Sequence, residues 1–274
     1  MSINTGPAYI RVLAIDLDGT LLDSKSRVSM FSAQALALAQ RAGISIVLAT
    51  GKPYAALADL VQGLSLRGPH IVLGGGLIVQ APEETVLWQQ GLIAAESQRI
   101  IEGLTELRLP FVVYYQQHSA LLSAYSASKR IGHLEEIGEP APLVCSTLNQ
   151  NDTVFKILTF TQTQETVQEA TLRDMASNDT QVVRTSPYLL EFIPRQGGKH
   201  IALAHLAQHM GIPLRNFAAI GDSENDRDML EAAGWSVVMR NASESLQGIA
   251  DWVVADNDSH GVAEAILRIV HAQE

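Results

Sequence analysis

A chain of 274 residues with 47% apolar and 18% charged side chains folds rather than staying disordered, and is long enough for one large domain or two modest ones. Its formal net charge of −10, with no run of Lys or Arg, argues against a nucleic-acid partner. The single cysteine, Cys145, excludes an intrachain disulfide and a zinc site built on cysteines.

Val12-Leu13-Ala14-Ile15 reads as a buried strand that ends in an acidic turn, Asp16-Leu17-Asp18-Gly19-Thr20. The stretch from Phe31 to Ala42 is rich in helix formers, and Gly43 supplies its C-terminal stop. Ile44 to Ala49 predicts a second strand ending at Thr50-Gly51, and Pro53 fits the first turn of a helix running to about Leu66. Ile71-Val72-Leu73 predicts a third strand, closed by Gly74-Gly75-Gly76, which reads as a flexible connection. Near-continuous apolar strands alternating with helices indicate a parallel sheet covered on both faces.

The middle of the chain has a different texture. Thr85-Val86-Leu87-Trp88 looks like part of a hairpin, and helices are expected near 94–107, 127–137 and 163–176. Between them, strands are expected at 111–115, 154–160, 181–184 and 189–193. A Pro-containing segment, Ala81-Pro82-Glu83-Glu84, and a Pro- and Gly-containing one, Pro194-Arg195-Gln196-Gly197-Gly198, flank this unit. From Lys199 the α/β alternation resumes, with a helix over 199–210 and a strand at 217–220. That strand ends in a second acidic turn, Gly221-Asp222-Ser223-Glu224-Asn225-Asp226. A short helix, strands at 235–239 and 252–255, and a closing helix over 262–270 complete the chain. The expected organisation is an α/β, Rossmann-like parallel-sheet core from residues 1–81 plus 194–274, with an α+β cap domain inserted at 82–193.

In open parallel α/β sheets, ligands bind at the carboxyl ends of the strands. Asp16 and Asp18, Thr50 and Gly51, and Asp222 all fall at such ends. Two carboxylates one residue apart disfavour each other's ionised form, so the pair calls for a cation or a shared proton. Oxygen-rich clusters suit a hard divalent cation, and Mg²⁺ commonly sits between carboxylates and a substrate phosphate. One acidic turn alone would read as a helix cap or a turn. Two of them, each after an apolar strand, point to Mg²⁺-assisted phosphoryl chemistry.

Asp16-Leu17-Asp18-Gly19-Thr20-Leu21-Leu22 resembles the first motif of the haloacid dehalogenase-like phosphatases. Ala49-Thr50-Gly51 resembles their second motif, Lys199 their third, and Gly221 to Asp226 their fourth. The insert between the second and third motifs is similar to the C2-type cap of the Cof-type subfamily, as are Leu190-Glu191-Phe192-Ile193-Pro194 and Met239-Arg240-Asn241-Ala242. The resemblance implies that Asp16 is the nucleophile, forming an aspartyl-phosphate, and that Asp18 is the general acid and then the base. It also implies that Thr50, Lys199, Asn225 and the backbone N–H groups of Leu17 and Gly51 hold phosphate. Asp16, the Asp18 carbonyl and Asp222 would bind Mg²⁺, with Asp226 and Asn241 in support.

The implied function is a Mg²⁺-dependent phosphatase of small phosphorylated metabolites, sugar phosphates foremost. The core would supply the phosphoryl chemistry and the cap the contacts to the leaving group. Two alternatives are a phosphomutase of the phosphomannomutase type and a sugar-phosphate-binding protein without catalysis. Asp18 argues against the second, since binding alone does not need it. The N-terminus does not read as a signal peptide, and no apolar run approaches the roughly 18–20 residues of a bilayer span. A cytoplasmic protein with no membrane partner is therefore expected, its oligomeric state left open.

Several positions depart from the family pattern. Lys52 stands where many relatives carry Arg, Gly74-Gly75-Gly76 where Asn-Gly is usual, and His200 where Gly is frequent. His205 and His209, four apart on a helix, read as surface histidines because the His-Glu-x-x-His pattern is absent. Tyr114 and Tyr115 would point to opposite faces of a strand, one of them into a core. Glu135-Glu136 and Asp256-Asn257-Asp258 read as solvated surface.

Overall fold

The computed structural model describes residues 9–125, 132, 134, 141–149, 152–161, 166–186 and 188–273. The helix expected over 127–137 lies almost entirely outside the described residues, and Glu135-Glu136 lies wholly outside them. No helix among the described residues is long and apolar enough to cross a membrane.

The first strand, β1 (Val12–Ile15), is buried at all four positions. Alternation sends Leu13 and Ile15 to one face and Val12 and Ala14 to the other. Leu13 and Ile15 share an apolar cluster with the helices Met30–Arg41 and Gly261–His271. Val12 and Ala14 share one with the helices Lys199–Met210 and Arg227–Ala232. A strand covered on both faces has no polar alternation, which is why β1 reads as a continuous apolar run. Beside it runs β2 (Ser45–Leu48), in parallel register from Val12 opposite Ser45 to Ile15 opposite Leu48.

The third expected strand behaves differently. β3 (Gly68–Val72) is not laddered into the parallel sheet, and its backbone joins that side at an isolated bridge between Ala49 and Ile71. It pairs antiparallel with β4 (Leu77–Ala81), which pairs antiparallel with β5 (Thr85–Gln89). This three-stranded sheet runs across residue 82. The reversal between β3 and β4 is a 3₁₀ turn over Leu73–Gly75. The triple glycine is thus a close-packed turn rather than a flexible connection. Gly75 has φ +97°, and a Cβ there would lie 2.1 Å from the carbonyl carbon of Gly198. Only glycine lets the chain before Lys199 come this near.

A six-stranded sheet follows, made of β6 (Phe111–Tyr114), β7 (Ser119–Leu122), β8 (Leu143–Cys145), β9 (Lys156–Phe160), β10 (Thr180–Ser186) and β11 (Leu189–Pro194). Its order is β10-β11-β9-β6-β7-β8, antiparallel throughout except between β7 and β8. Ile100 and Leu104 of the helix Ala94–Glu106, with Leu172 of the helix Thr166–Asp174, cover one face at Phe111, Val113, Ile157 and Phe192. Val112, Tyr114, Leu158 and Phe160 face the other way and belong to the same apolar cluster as Leu13 and Ile15. Both tyrosines are buried, Tyr114 on that side and Tyr115 on the helix side, where its hydroxyl donates to the Asn149 carbonyl at 3.1 Å.

The chain then returns to the first sheet with β12 (Phe217–Gly221), β13 (Trp235–Met239) and β14 (Trp252–Val254), giving the parallel order β14-β13-β12-β1-β2. β12 lies directly beside β1, with Ile15 opposite Ile220. The ends of β1, β2 and β12 therefore form one edge.

His70 on β3 is fully buried, and its Nδ1 accepts the Leu48 N–H at 3.1 Å, while its Nε2 finds no partner among the described residues. Burial lowers its pKa from 6.5 to about 4. The unfolded chain takes up this proton first, so the stability held above pH 6.5 is lost as pH falls toward about 4. The loss is about 3 kcal/mol across that window. His70→Gln, which keeps an acceptor for Leu48, is expected to flatten the pH dependence of the urea midpoint between these values. An unchanged profile would show that His70 does not set acid sensitivity.

Candidate active site

Asp16 continues β1 by one residue, its N–H donating to the Ile220 carbonyl at 2.9 Å, so its side chain leaves the sheet at the edge shared with β12. Gly19 then turns the chain at φ +80°, where a Cβ would lie 2.3 Å from Asp222 Oδ2. The absence of a side chain lets the first acidic turn close against the second. Thr20 Oγ1 donates to Asp222 Oδ1 at 2.7 Å, and Asn241 Nδ2 reaches both the Gly19 carbonyl at 2.9 Å and Asp222 Oδ2 at 3.3 Å.

Lys199 opens its helix just after Gly198, and its ammonium lies between two carboxylates. Nζ is 2.5 Å from Asp16 Oδ1 and 2.6 Å from Asp226 Oδ1. The other oxygen of Asp226 accepts from the N–H groups of Asp222 and Ser223 and from the Ser223 hydroxyl, at 3.1–3.2 Å. Asp226 thus has four donors, about all that a carboxylate accepts. Burial opposes the Lys199 charge, but Asp16 and Asp226 outweigh it and hold the ammonium above its ordinary pKa. Asp16 is pushed up to about 8, mainly by burial and then by Asp226, with Lys199 opposing the rise. Asp222 rises to about 6, again mainly by burial.

Thr50 and Gly51 follow β2, with Thr50 buried and its N–H bonded to the Ile71 carbonyl at 2.9 Å. The N–H groups of Leu17 and Gly51 find no acceptor among the described residues. The Leu17 side chain is buried, so only its backbone faces the edge. Asp18 is exposed and accepts from the buried Lys52 ammonium at 2.6 Å. The Lys52 noted as a departure from the family pattern is therefore paired with Asp18. Asn225 is exposed on the second acidic turn.

The run Asp256-Asn257-Asp258 is not merely solvated surface. Asn257 Nδ2 donates to the Leu22 carbonyl at 2.9 Å, its N–H donates to Asn241 Oδ1 at 3.2 Å, and Asp258 accepts the Ser24 N–H at 2.8 Å. These residues clamp the chain just beyond the first acidic turn. No local pattern announces this, because their partners lie more than 200 residues earlier for Leu22 and Ser24. His205 and His209 are exposed on the helix, and His205 stacks on Trp88 with ring centroids 4.5 Å apart.

Oxygens of Asp16, Asp222 and Asp226 all lie within 4.8 Å of one another. An all-oxygen set of three carboxylates with Lys199 between two of them keeps an excess of negative charge, and it fits a hard divalent cation. Asp226 already accepts four donors, whereas Asp222 accepts from Thr20 and Asn241 and Asp16 from Lys199, so Asp16 and Asp222 are the less committed carboxylates for such an ion.

The sequence profile of the haloacid dehalogenase-like hydrolases matches residues 13–266. The chain is 29% identical to phosphatase YwpJ of Bacillus subtilis, over 95% of this chain and 100% of that protein. It is 27% identical to pyridoxal phosphate phosphatase YbhA of Escherichia coli, over 93% of this chain and 97% of that protein. A haloacid dehalogenase-like hydrolase from B. subtilis superposes with a TM-score of 0.81 at 28% identity, over 94% of this chain and 99% of that one. A profile spanning nearly the whole chain, with both acidic turns and Lys199 at one sheet edge, places this protein in the haloacid dehalogenase-like hydrolase family, among relatives that are phosphoric monoester hydrolases.

Proposed function

We propose that this protein is a Mg²⁺-dependent phosphatase of small phosphorylated metabolites, sugar phosphates foremost, working through an aspartyl-phosphate on Asp16. The observation that carries this reading is the meeting of Asp16, Lys199, Asp222 and Asp226 at the ends of adjacent strands, with Thr50 and Asp18 on the same edge. That YbhA is a pyridoxal phosphate phosphatase supports a small phosphomonoester as substrate.

The Asp16 carboxylate attacks phosphorus and takes the phosphoryl group, while the leaving oxygen takes a proton from Asp18. Asp18, exposed at the site and steered by Lys52, then takes a proton from the water that attacks the aspartyl-phosphate. Thr50, Asn225 and the N–H groups of Leu17 and Gly51 hold the phosphoryl oxygens. Lys199 balances charge building on them. Mg²⁺, held by Asp16, Asp222 and the Asp18 carbonyl, would neutralise phosphate charge when bound. Asp226 and Asn241 fix Lys199, the second acidic turn and Asp222. The α+β insert acts as a cap that covers the site and selects the leaving group.

Asp16→Asn keeps the shape and removes the nucleophile, so turnover should fall roughly 1000-fold or more with the fold intact. Retention of most activity in a steady-state assay would end the covalent mechanism. Asp18→Asn should cost roughly 100-fold or more on a sugar phosphate, and less on an activated aryl phosphate whose leaving group needs no proton. Equal losses on both would remove Asp18 as the acid.

A chelator should abolish activity and added Mg²⁺ should restore it. Asp222→Ala should raise the Mg²⁺ needed for half-maximal rate more than it raises KM. Full activity in excess chelator, with no metal detected by elemental analysis, would take the ion out of the mechanism.

A further inference from the structure

Lys156 begins β9, within the insert, yet one bond of its ammonium reaches the core. The residue is 1% exposed. Its Nζ donates to the Gly51 carbonyl at 3.1 Å and to Glu191 Oε1 at 3.1 Å, and lies 4.3 Å from the ring centroid of Tyr114. Tyr114 stands directly opposite Lys156 in the β6–β9 register, and Glu191 comes from the neighbouring β11. An ammonium this buried is costly unless it is paired, and one-sided loss of such a pair leaves an uncompensated charge. The pair with Glu191 places it where a single loop carbonyl can accept a charge-assisted bond.

That carbonyl belongs to the Gly51–Lys52 peptide, which is held at its other end too. The Lys52 N–H donates to Thr50 Oγ1 at 3.1 Å. This bond uses one of the two lone pairs of the Thr50 hydroxyl and leaves its proton available to an acceptor in front. The Thr50 and Lys52 carbonyls accept from the N–H groups of Gly74 and Leu73, both at 2.9 Å. The loop is therefore anchored by the core along one side and by Lys156 of the insert on the other. The Gly51–Lys52 plane is thus fixed at both ends: its N–H orients the Thr50 hydroxyl, and it adjoins the Thr50–Gly51 peptide that carries the Gly51 N–H and is itself held by Gly74.

We propose that Lys156 is a positioning residue for phosphate binding. It locks the Gly51–Lys52 peptide and so makes assembly of the phosphate-binding loop depend on the insert being seated on the core. This rests on the reading of Thr50 and Gly51 as phosphate ligands. It also breaks the simple division in which the core alone supplies the phosphoryl chemistry.

The test compares wild type, Lys156→Met, Lys156→Arg and Glu191→Gln. Calorimetry measures the affinity for inorganic phosphate in the presence of Mg²⁺. Steady-state kinetics on an aryl phosphate too small to need insert contacts measures kcat and KM, and thermal melts check folding. Lys156→Met is expected to weaken phosphate binding and raise KM about tenfold, with kcat changed by less than about threefold. Lys156→Arg should recover most of the loss, because a guanidinium can still donate to the Gly51 carbonyl. Glu191→Gln keeps the shape and loosens the ammonium, so it should show a smaller loss of the same kind, and it carries the test if Lys156→Met does not fold. Folded variants with wild-type phosphate affinity and KM would overturn the inference, as would equal losses in the Met and Arg variants. A wild-type protein that binds no phosphate and turns over no phosphomonoester would overturn the phosphatase reading along with it.

Discussion

One buried ammonium holds this site together. Three carboxylates, Asp16, Asp222 and Asp226, crowd one sheet edge, and burial drives both Asp16 and Asp222 toward their protonated forms. Lys199 lies within hydrogen-bonding distance of Asp16 and Asp226 and keeps its own charge because of them. Remove it, and like-charge repulsion in a desolvated space would raise the Asp16 pKa further or push the turns apart. The proposed attack on phosphorus needs an ionised Asp16, so on that reading this contact bears on function as well as local packing.

Backbone packing puts that ammonium in place. The 3₁₀ turn at Leu73–Gly75 brings Gly75 against Gly198, at the start of the Lys199 helix. Gly19 similarly admits Asp222 where any Cβ would collide. At both points the missing side chain does the work, allowing chain segments far apart in sequence to approach within contact distance. The clamp of Asn241, Asn257 and Asp258 then holds the first acidic turn from the far end of the chain. Several loops at the site thus share hydrogen bonds, each loop completing another's.

The insert enters this arrangement through Lys156. A lysine on a sheet outside the parallel core, paired with Glu191 and laid over Tyr114, holds a carbonyl in the loop after β2. Phosphate binding and the seating of the insert would then be linked through one peptide plane.

Local periodicity and composition determined much of this protein. The apolar runs before Asp16, Thr50 and Asp222 announce parallel strands because burial on both faces leaves no room for polar alternation. Placing three such strand ends on one edge made Asp16, Asp18, Thr50 and Asp222 legible as a site, and the family resemblance added Lys199. Other features are pairings between residues distant along the chain, which leave no periodic trace. Such are the antiparallel turn of β3 away from the parallel sheet, the Lys52–Asp18 pair, the four donors to Asp226, and the reach of Lys156 to a carbonyl 105 residues earlier. A charged residue reads the same in sequence whether it faces water or a buried partner. Only the fold decides which, because it alone brings the partner within hydrogen-bonding distance and takes the water away.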